Sequence, residues 1–200
     1  MNPKDSYCHD KNEKRVNDMK VIKTSIPEVM VIETDIYSDE RGYFRETHHD
    51  LRYATNCIES SFVQDNLSYS KKDVLRGLHF QQESPQGKLI TPIQGRIFDV
   101  AVDVRPDSQT FGQWVGIELS DNNRKQLYIP EGFAHGFCVL SDEAYVHYKC
   151  TARYNPGDEM GLKWDDPTLG IVWPVAQPII SQKDKQNMDF KSYMHKIGAT

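Results

Sequence analysis

Phe98-Asp99-Val100-Ala101-Val102-Asp103-Val104 sets a large apolar residue at every second position. In an extended chain Phe98, Val100, Val102 and Val104 share one face, and Asp99, Ala101 and Asp103 share the other. The same two-residue period starts near Phe62 and recurs downstream. It is carried by Val115, Ile117 and Leu119, by Leu127 and Ile129, by Phe137 and Val139, and by Ala144, Val146, Tyr148 and Cys150. Turn chemistry separates the runs: Gln94-Gly95, Arg105-Pro106-Asp107-Ser108, Asp121-Asn122-Asn123, Pro130-Glu131-Gly132 and Asn155-Pro156-Gly157-Asp158. Many short strands at this spacing, with almost no amphipathic helix, predict an all-β antiparallel sandwich or barrel. Upstream, Val21-Ile22-Lys23 and Val29 to Ile32 read as short strands, Ser38 to Gly42 as a polar turn, and Thr47 to Asn56 as one short helix.

The chain has 200 residues and a net charge of −5 spread over both signs, which suits one domain with a real core. Residues 1–19 are too charged to join that core and are expected to be a mobile extension. The domain is placed at 20–190, with 191–200 as a tail. Without a basic stripe or a long apolar run, neither nucleic acid nor membrane is expected as a partner. Four scattered cysteines (Cys8, Cys57, Cys138, Cys150) form no zinc or disulfide pattern, and the N-terminus lacks a signal-peptide centre. A reducing cytoplasm is the expected compartment.

Chemistry enters with Val74-Leu75-Arg76-Gly77-Leu78-His79-Phe80-Gln81, a strand bearing an imidazole that can take a proton near neutrality. Alternation puts His79 and Gln81 on one face and Arg76 on the other. If Arg76 and His79 serve one pocket, the strand must bulge, and Gly77 is where that costs least. Pro130-Glu131-Gly132-Phe133-Ala134-His135 matches the Pro-x-Gly-x-x-His pattern of the second cupin motif. The first motif of metal-binding cupins has a second histidine where Gln81 stands here, and no suitably spaced acid follows. A double-stranded β-helix (cupin jelly roll) with a few short peripheral helices and no metal is therefore expected. On spacing alone, Tyr148 reads as a core tyrosine, Lys88 as a turn lysine, and Ser181 with Asp184 as a helix N-cap pair. Arg41 and Glu46 read as a surface ion pair.

Taken as an ordered set, the blocks resemble the dTDP-4-dehydrorhamnose 3,5-epimerase family from about Met19 to Asp184. They are Asp39 to Gly42, Phe62 to Asn66, Val74 to Gln81, Gln86-Gly87-Lys88, Phe98 to Asp103, Phe111-Gly112, Tyr128 to Phe137, His147-Tyr148-Lys149 and Ser181 to Asp184. The resemblance implies a cofactor-free cupin enzyme of dTDP-L-rhamnose synthesis that inverts carbons 3 and 5 of dTDP-4-dehydro-6-deoxy-D-glucose. By the same resemblance His79 is the general base and Asp184 the carboxylate paired with it. Tyr148 is the proton donor on the opposite side of the sugar, and Lys88 the cation beside the developing enolate. Arg41, Glu46, Gln64, Asp65, Asn66, Arg76, His135, Glu159 and Lys183 hold the nucleotide-sugar or shape the pocket. It also implies a homodimer with exchanged N-terminal strands, so that Arg41 and Glu46 reach the partner's pocket. Three alternatives stay open: a single-position epimerase of a related sugar, a metal-dependent cupin oxygenase, and a non-catalytic sugar-nucleotide binder.

Overall fold

The computed structural model describes residues 19–56, 58 and 61–199. Its period-two runs form two large antiparallel sheets. One sheet holds β1 (Lys20–Lys23), β2 (Met30–Glu33), β5 (Gln64–Lys71), β7 (Lys88–Gln94), β10 (Lys125–Ile129) and β12 (Glu143–Cys150), in the order β1-β2-β10-β7-β12-β5. The other holds β6 (Leu75–Gln81), β8 (Arg96–Asp103), β9 (Trp114–Ser120), β11 (Phe133–Val139) and β13 (Glu159–Gly161), in the order β13-β6-β11-β8-β9. From β5 to β12 the chain passes back and forth between the sheets, which is the double-stranded β-helix expected from the sequence. A separate hairpin joins β3 (Ile36–Asp39) to β4 (Gly42–Arg45). The short helices are α1 (Asp50–Thr55) and α2 (Phe190–Lys196).

The pleat sorts side chains into three layers. Between the sheets lie Val31, Ile90, Ile97, Ala101, Leu127, Ile129, Phe133, Phe137 and Val146. Outside the six-stranded sheet, Met30, Ile32, Leu89 and Tyr128 pack under Tyr53 of α1 and Ile58. Outside the five-stranded sheet, Leu78, Phe80, Val100, Val102 and Val104 are roofed by Leu162, Leu169, Phe190 and Tyr193. The more apolar face of β8 therefore points away from the barrel interior, and Asp99 and Asp103 share the inward face with Ala101. Both carboxylates are fully buried.

The helix α2 is part of this roof: Tyr193 is buried, stacks edge-on against Phe80, and donates its hydroxyl to the Val104 carbonyl at 2.9 Å. Seven residues of helix offer too few apolar positions for a period to show in sequence, so the burial arises from tertiary packing. Of the expected N-terminal extension, residues 1–18 lie outside the described residues, as do Cys8 and Cys57.

Candidate active site

Two neighbouring lobes, of about 520 and 300 Å3, open between the sheets. His79, Lys88 and Tyr148 line both. The lobes are therefore halves of one cavity, with these three side chains at the waist. His79 comes from β6 in one sheet, and Lys88 and Tyr148 from β7 and β12 in the other, so imidazole and phenol face each other across the gap.

Local backbone makes this possible at β6. His135 pairs with His79 and Phe137 with Arg76, so two steps on β11 match three on β6. That is the bulge anticipated at Gly77, whose φ is +111°. A Cβ there would stand 2.6 Å from both Gly136 Cα and the His135 carbonyl oxygen. With one extra residue absorbed, Arg76 and His79 both line the larger lobe.

His79 Nε2 lies 2.6 Å from Asp184 Oδ1. The segment that carries Asp184 is tied to β6: Leu75 N–H donates to the Ile179 carbonyl, and Gly77 N–H donates to Asp184 Oδ2 at 3.4 Å. Ser181 Oγ does accept from the Asp184 N–H, at 3.0 Å, as a capping residue would. The Asp184 carboxylate itself goes to the imidazole. Burial opposes its ionisation, but the His79 ring, the Gly77 N–H and Ser181 hold it below the usual carboxylate range.

Lys88 is buried and forms no ion pair among the described residues. Burial pushes its ammonium below the usual lysine range, against the pull of Cys150, Asp99 and Glu159. A buried cation with no carboxylate in direct contact is poised for an anion that arrives with a ligand or develops during reaction. Burial raises the Tyr148 phenol, Cys150 and Glu159 add to the rise, and Arg76 acts against it. Arg76 is braced by Ser70 Oγ at 2.9 Å and the Tyr69 carbonyl at 3.1 Å.

His135 also lines the cavity, its Nε2 3.0 Å from Asp99 Oδ2. Burial lowers the imidazole and Asp99 pulls it back up. Sequence reasoning gave Asp99 no role. The available signal was a carboxylate between Phe98 and Val100, in a run apolar enough to be buried, where a charge needs a partner. Gln64, Asn66 and Glu159 line the smaller lobe with Tyr154 and Cys150, two more residues not singled out for the site. Glu159 accepts from Tyr154 Oη at 2.6 Å and from Lys183 Nζ. Lys183 itself lines the larger lobe.

Three expected site residues are elsewhere in this chain. Asp65 faces outward and pairs with Lys149 at 2.7 Å, because the pleat of β5 sends Gln64 and Asn66 in and Asp65 out. Arg41, on the β3–β4 turn, pairs with Asp39. Glu46 pairs with Arg52 at 2.7 Å, so Arg41 and Glu46 do not pair with each other. Gln81, at the place of the cupin metal histidine, spends its amide on the backbone. Its Nε2 donates to the Ser84 and Arg153 carbonyls, and its Oε1 accepts from Asn155 N–H.

The family model described as dTDP-4-dehydrorhamnose 3,5-epimerase matches residues 23–192. The chain belongs to that family. It is 54% identical over 171 residues to the dTDP-4-dehydrorhamnose 3,5-epimerase of Methanothermobacter thermautotrophicus, covering 84% of this chain and 92% of the relative. The fold is similar to the crystal structure of the Legionella pneumophila dTDP-6-deoxy-D-glucose-3,5-epimerase RmlC in complex with dTDP-4-keto-L-rhamnose. The TM-score is 0.84 at 48% identity, over 87% of this chain and 94% of that one. ChmJ, a 3'-monoepimerase from Streptomyces bikiniensis in complex with dTDP-quinovose, is similar at 29% identity with a TM-score of 0.81, over 88% and 90% of the two chains.

Proposed function

We propose that this member of the 3,5-epimerase family inverts carbons 3 and 5 of dTDP-4-dehydro-6-deoxy-D-glucose, giving dTDP-4-dehydro-L-rhamnose. The observation that carries the assignment of roles is the imidazole–carboxylate pair His79–Asp184 facing Tyr148 across a cavity with the buried Lys88 at its waist. The 4-keto group acidifies the hydrogens on the two carbons beside it. His79 removes a proton from one face, and Tyr148 returns one from the other. Lys88 meets the charge that grows on the carbon-4 oxygen, a contribution of about 3 kcal/mol to the barrier. Asp184 orients the ring. Arg76, Lys183, Gln64, Asn66, Glu159 and His135 hold the nucleotide-sugar or shape its cavity. No net redox change occurs, so the reaction requires no redox cofactor.

The test is incubation with the 4-keto sugar nucleotide in heavy water, followed by position-resolved NMR. Deuterium at both carbons with an L-configured product is expected. Label at one carbon only makes this a single-position epimerase, and tight binding with no label makes it a binder. His79→Asn should slow label uptake by roughly 10^2–10^4-fold. Tyr148→Phe should reduce completed inversion more than initial proton loss.

We also infer a homodimer acting in the cytoplasm. Free thiols at Cys138 and Cys150 suit a reducing compartment. No helix among the described residues is long and apolar enough to cross a membrane. β1 and β2 are hydrogen-bonded into this chain's own sheet, which narrows the exchangeable N-terminal piece to the β3–β4 hairpin. That hairpin exposes Tyr37, Tyr43 and Phe44, and the edge strand β5 exposes Leu67 and Tyr69. Covering these would remove an open sheet edge and bring Arg41 and Glu46 to the partner's cavity. Light scattering should give twice the chain mass; a monomer with full activity would contradict the inference.

A further inference from the structure

The imidazole of His79 is approached by carboxylates on both sides. Nε2 donates to Asp184, which leaves the lone pair on Nδ1. Glu159 Oε1 stands 3.9 Å from Nδ1, within ion-pair range once the ring is charged but beyond a hydrogen bond. Glu159 arrives from β13, where Gly161 is the residue directly opposite His79 and Glu159 is opposite Gln81. Its two oxygens are used differently. Oε2 accepts from Tyr154 and Lys183, whereas Oε1 accepts no hydrogen bond among the described residues. The carboxylate is enclosed, with its side chain 12% exposed, and the lysine that neutralises it is 61% exposed, with solvent on its outer side.

We propose that Glu159 is a second counter-ion for His79, held in check by Lys183 until an anionic substrate draws that lysine away. The inference rests on the substrate reading above, since it needs a diphosphate. Lys183 lines the larger lobe beside Arg76, where a diphosphate would find both cations. With its ammonium engaged there, Glu159 loses its ion-pair partner, keeps only the Tyr154 hydroxyl and the more distant Lys88, and its charge bears on Nδ1. When Nδ1 takes the carbon-bound proton, the imidazolium lies between Asp184 and Glu159, and the carbanion's charge passes toward carbon 4. No bond to Glu159 forms. It is a positioning residue acting through the base. Lys183 and Asp184 are adjacent, so one short segment delivers both the release and the orientation. The other charged or titratable groups near His79 are Lys88 on β7, Tyr148 on β12, His135 with Asp99 on the neighbouring strands, and Arg76 on β6 itself. The ionisation of Glu159 fits: burial opposes it, yet Lys183, Tyr154 and His79 hold the carboxyl below its ordinary range.

The pH dependence of turnover tests this, because kcat/KM reports the free enzyme and kcat the substrate complex. In the unaltered protein the acid limb of kcat should lie about one pH unit above that of kcat/KM. Glu159→Gln should lower kcat about 10-fold, leave KM within about twofold, and move the acid limb of kcat down by about one unit. Lys183→Met, an exposed site where folding is not at risk, should raise KM and narrow the gap between the two limbs. A Glu159→Gln variant whose only change is a higher KM, or an undiminished gap in Lys183→Met, overturns the proposal while leaving the substrate reading intact. Failure of the unaltered protein to label the sugar nucleotide in heavy water overturns both.

Discussion

Lys88 and Asp99 show how single residues are bent to the site at the expense of ordinary stability. An ammonium buried without an ion pair destabilises the fold, because desolvation is not repaid by a partner. Lys88→Met should therefore lower kcat by roughly 10^2–10^3-fold, yet leave the thermal midpoint unchanged or raise it by a few degrees. Calorimetry beside kinetics checks this, and a clearly lowered midpoint would show that Lys88 has a structural partner. Asp99 acts in the opposite sense. Removing its charge in Asp99→Asn takes away the group that pulls the buried His135 back toward its ordinary range. The expected result is a weaker grip on the nucleotide-sugar, read as a higher KM, with hydrogen labelling at carbons 3 and 5 retained. Abolished labelling would promote His135 from shaping the cavity to direct proton transfer.

At the scale of the element, the bulge of β6 is the sharpest case. Gly77→Ala asks an L residue to adopt a φ of +111° and sets a methyl 2.6 Å from backbone on β11. A loss of about 3 kcal/mol or more in urea unfolding is expected, with activity lost as Arg76 and His79 part company. The need for this bulge was legible in sequence, because period-two alternation cannot place Arg76 and His79 on one face. The same alternation already implied that Asp65 lies opposite Gln64 and Asn66, and the family resemblance overrode it. Other features were not legible. Nothing in Phe98 to Val104 tells which face looks into the barrel, since both are buried and the roof comes from residues far along the chain. The pairing of Asp184 with His79 spans 105 positions; local spacing favoured a cap by Ser181, yet Lys183 holds the N-cap place without a side-chain bond, and Ser181 Oγ only accepts from the Asp184 N–H.

At the scale of the whole molecule, the acid response is set by buried carboxylates. Asp103 is fully buried; burial works against its charge, but bonds from Arg105, Ser108 and Thr110 hold its pKa to about 2. A group depressed in the folded state stabilises fully above its unfolded value near 3.8 and loses that contribution as pH falls toward about 2. The contribution is on the order of 2 kcal/mol. Urea midpoints between pH 5 and 2 should fall steeply in the unaltered protein and less steeply in Asp103→Asn, which is also less stable at neutral pH. Equal slopes would move the acid sensitivity to other carboxylates. The late position of the outer roof has a final consequence for biosynthesis. The ribosome makes β1 to β12 before that roof, so His79, Lys88 and Tyr148 all emerge ahead of the segment with Lys183 and Asp184. A message cut short in that interval yields a protein with its imidazole unaligned and the greasy back of β8 bare: inert as a catalyst, and a ready client for chaperones.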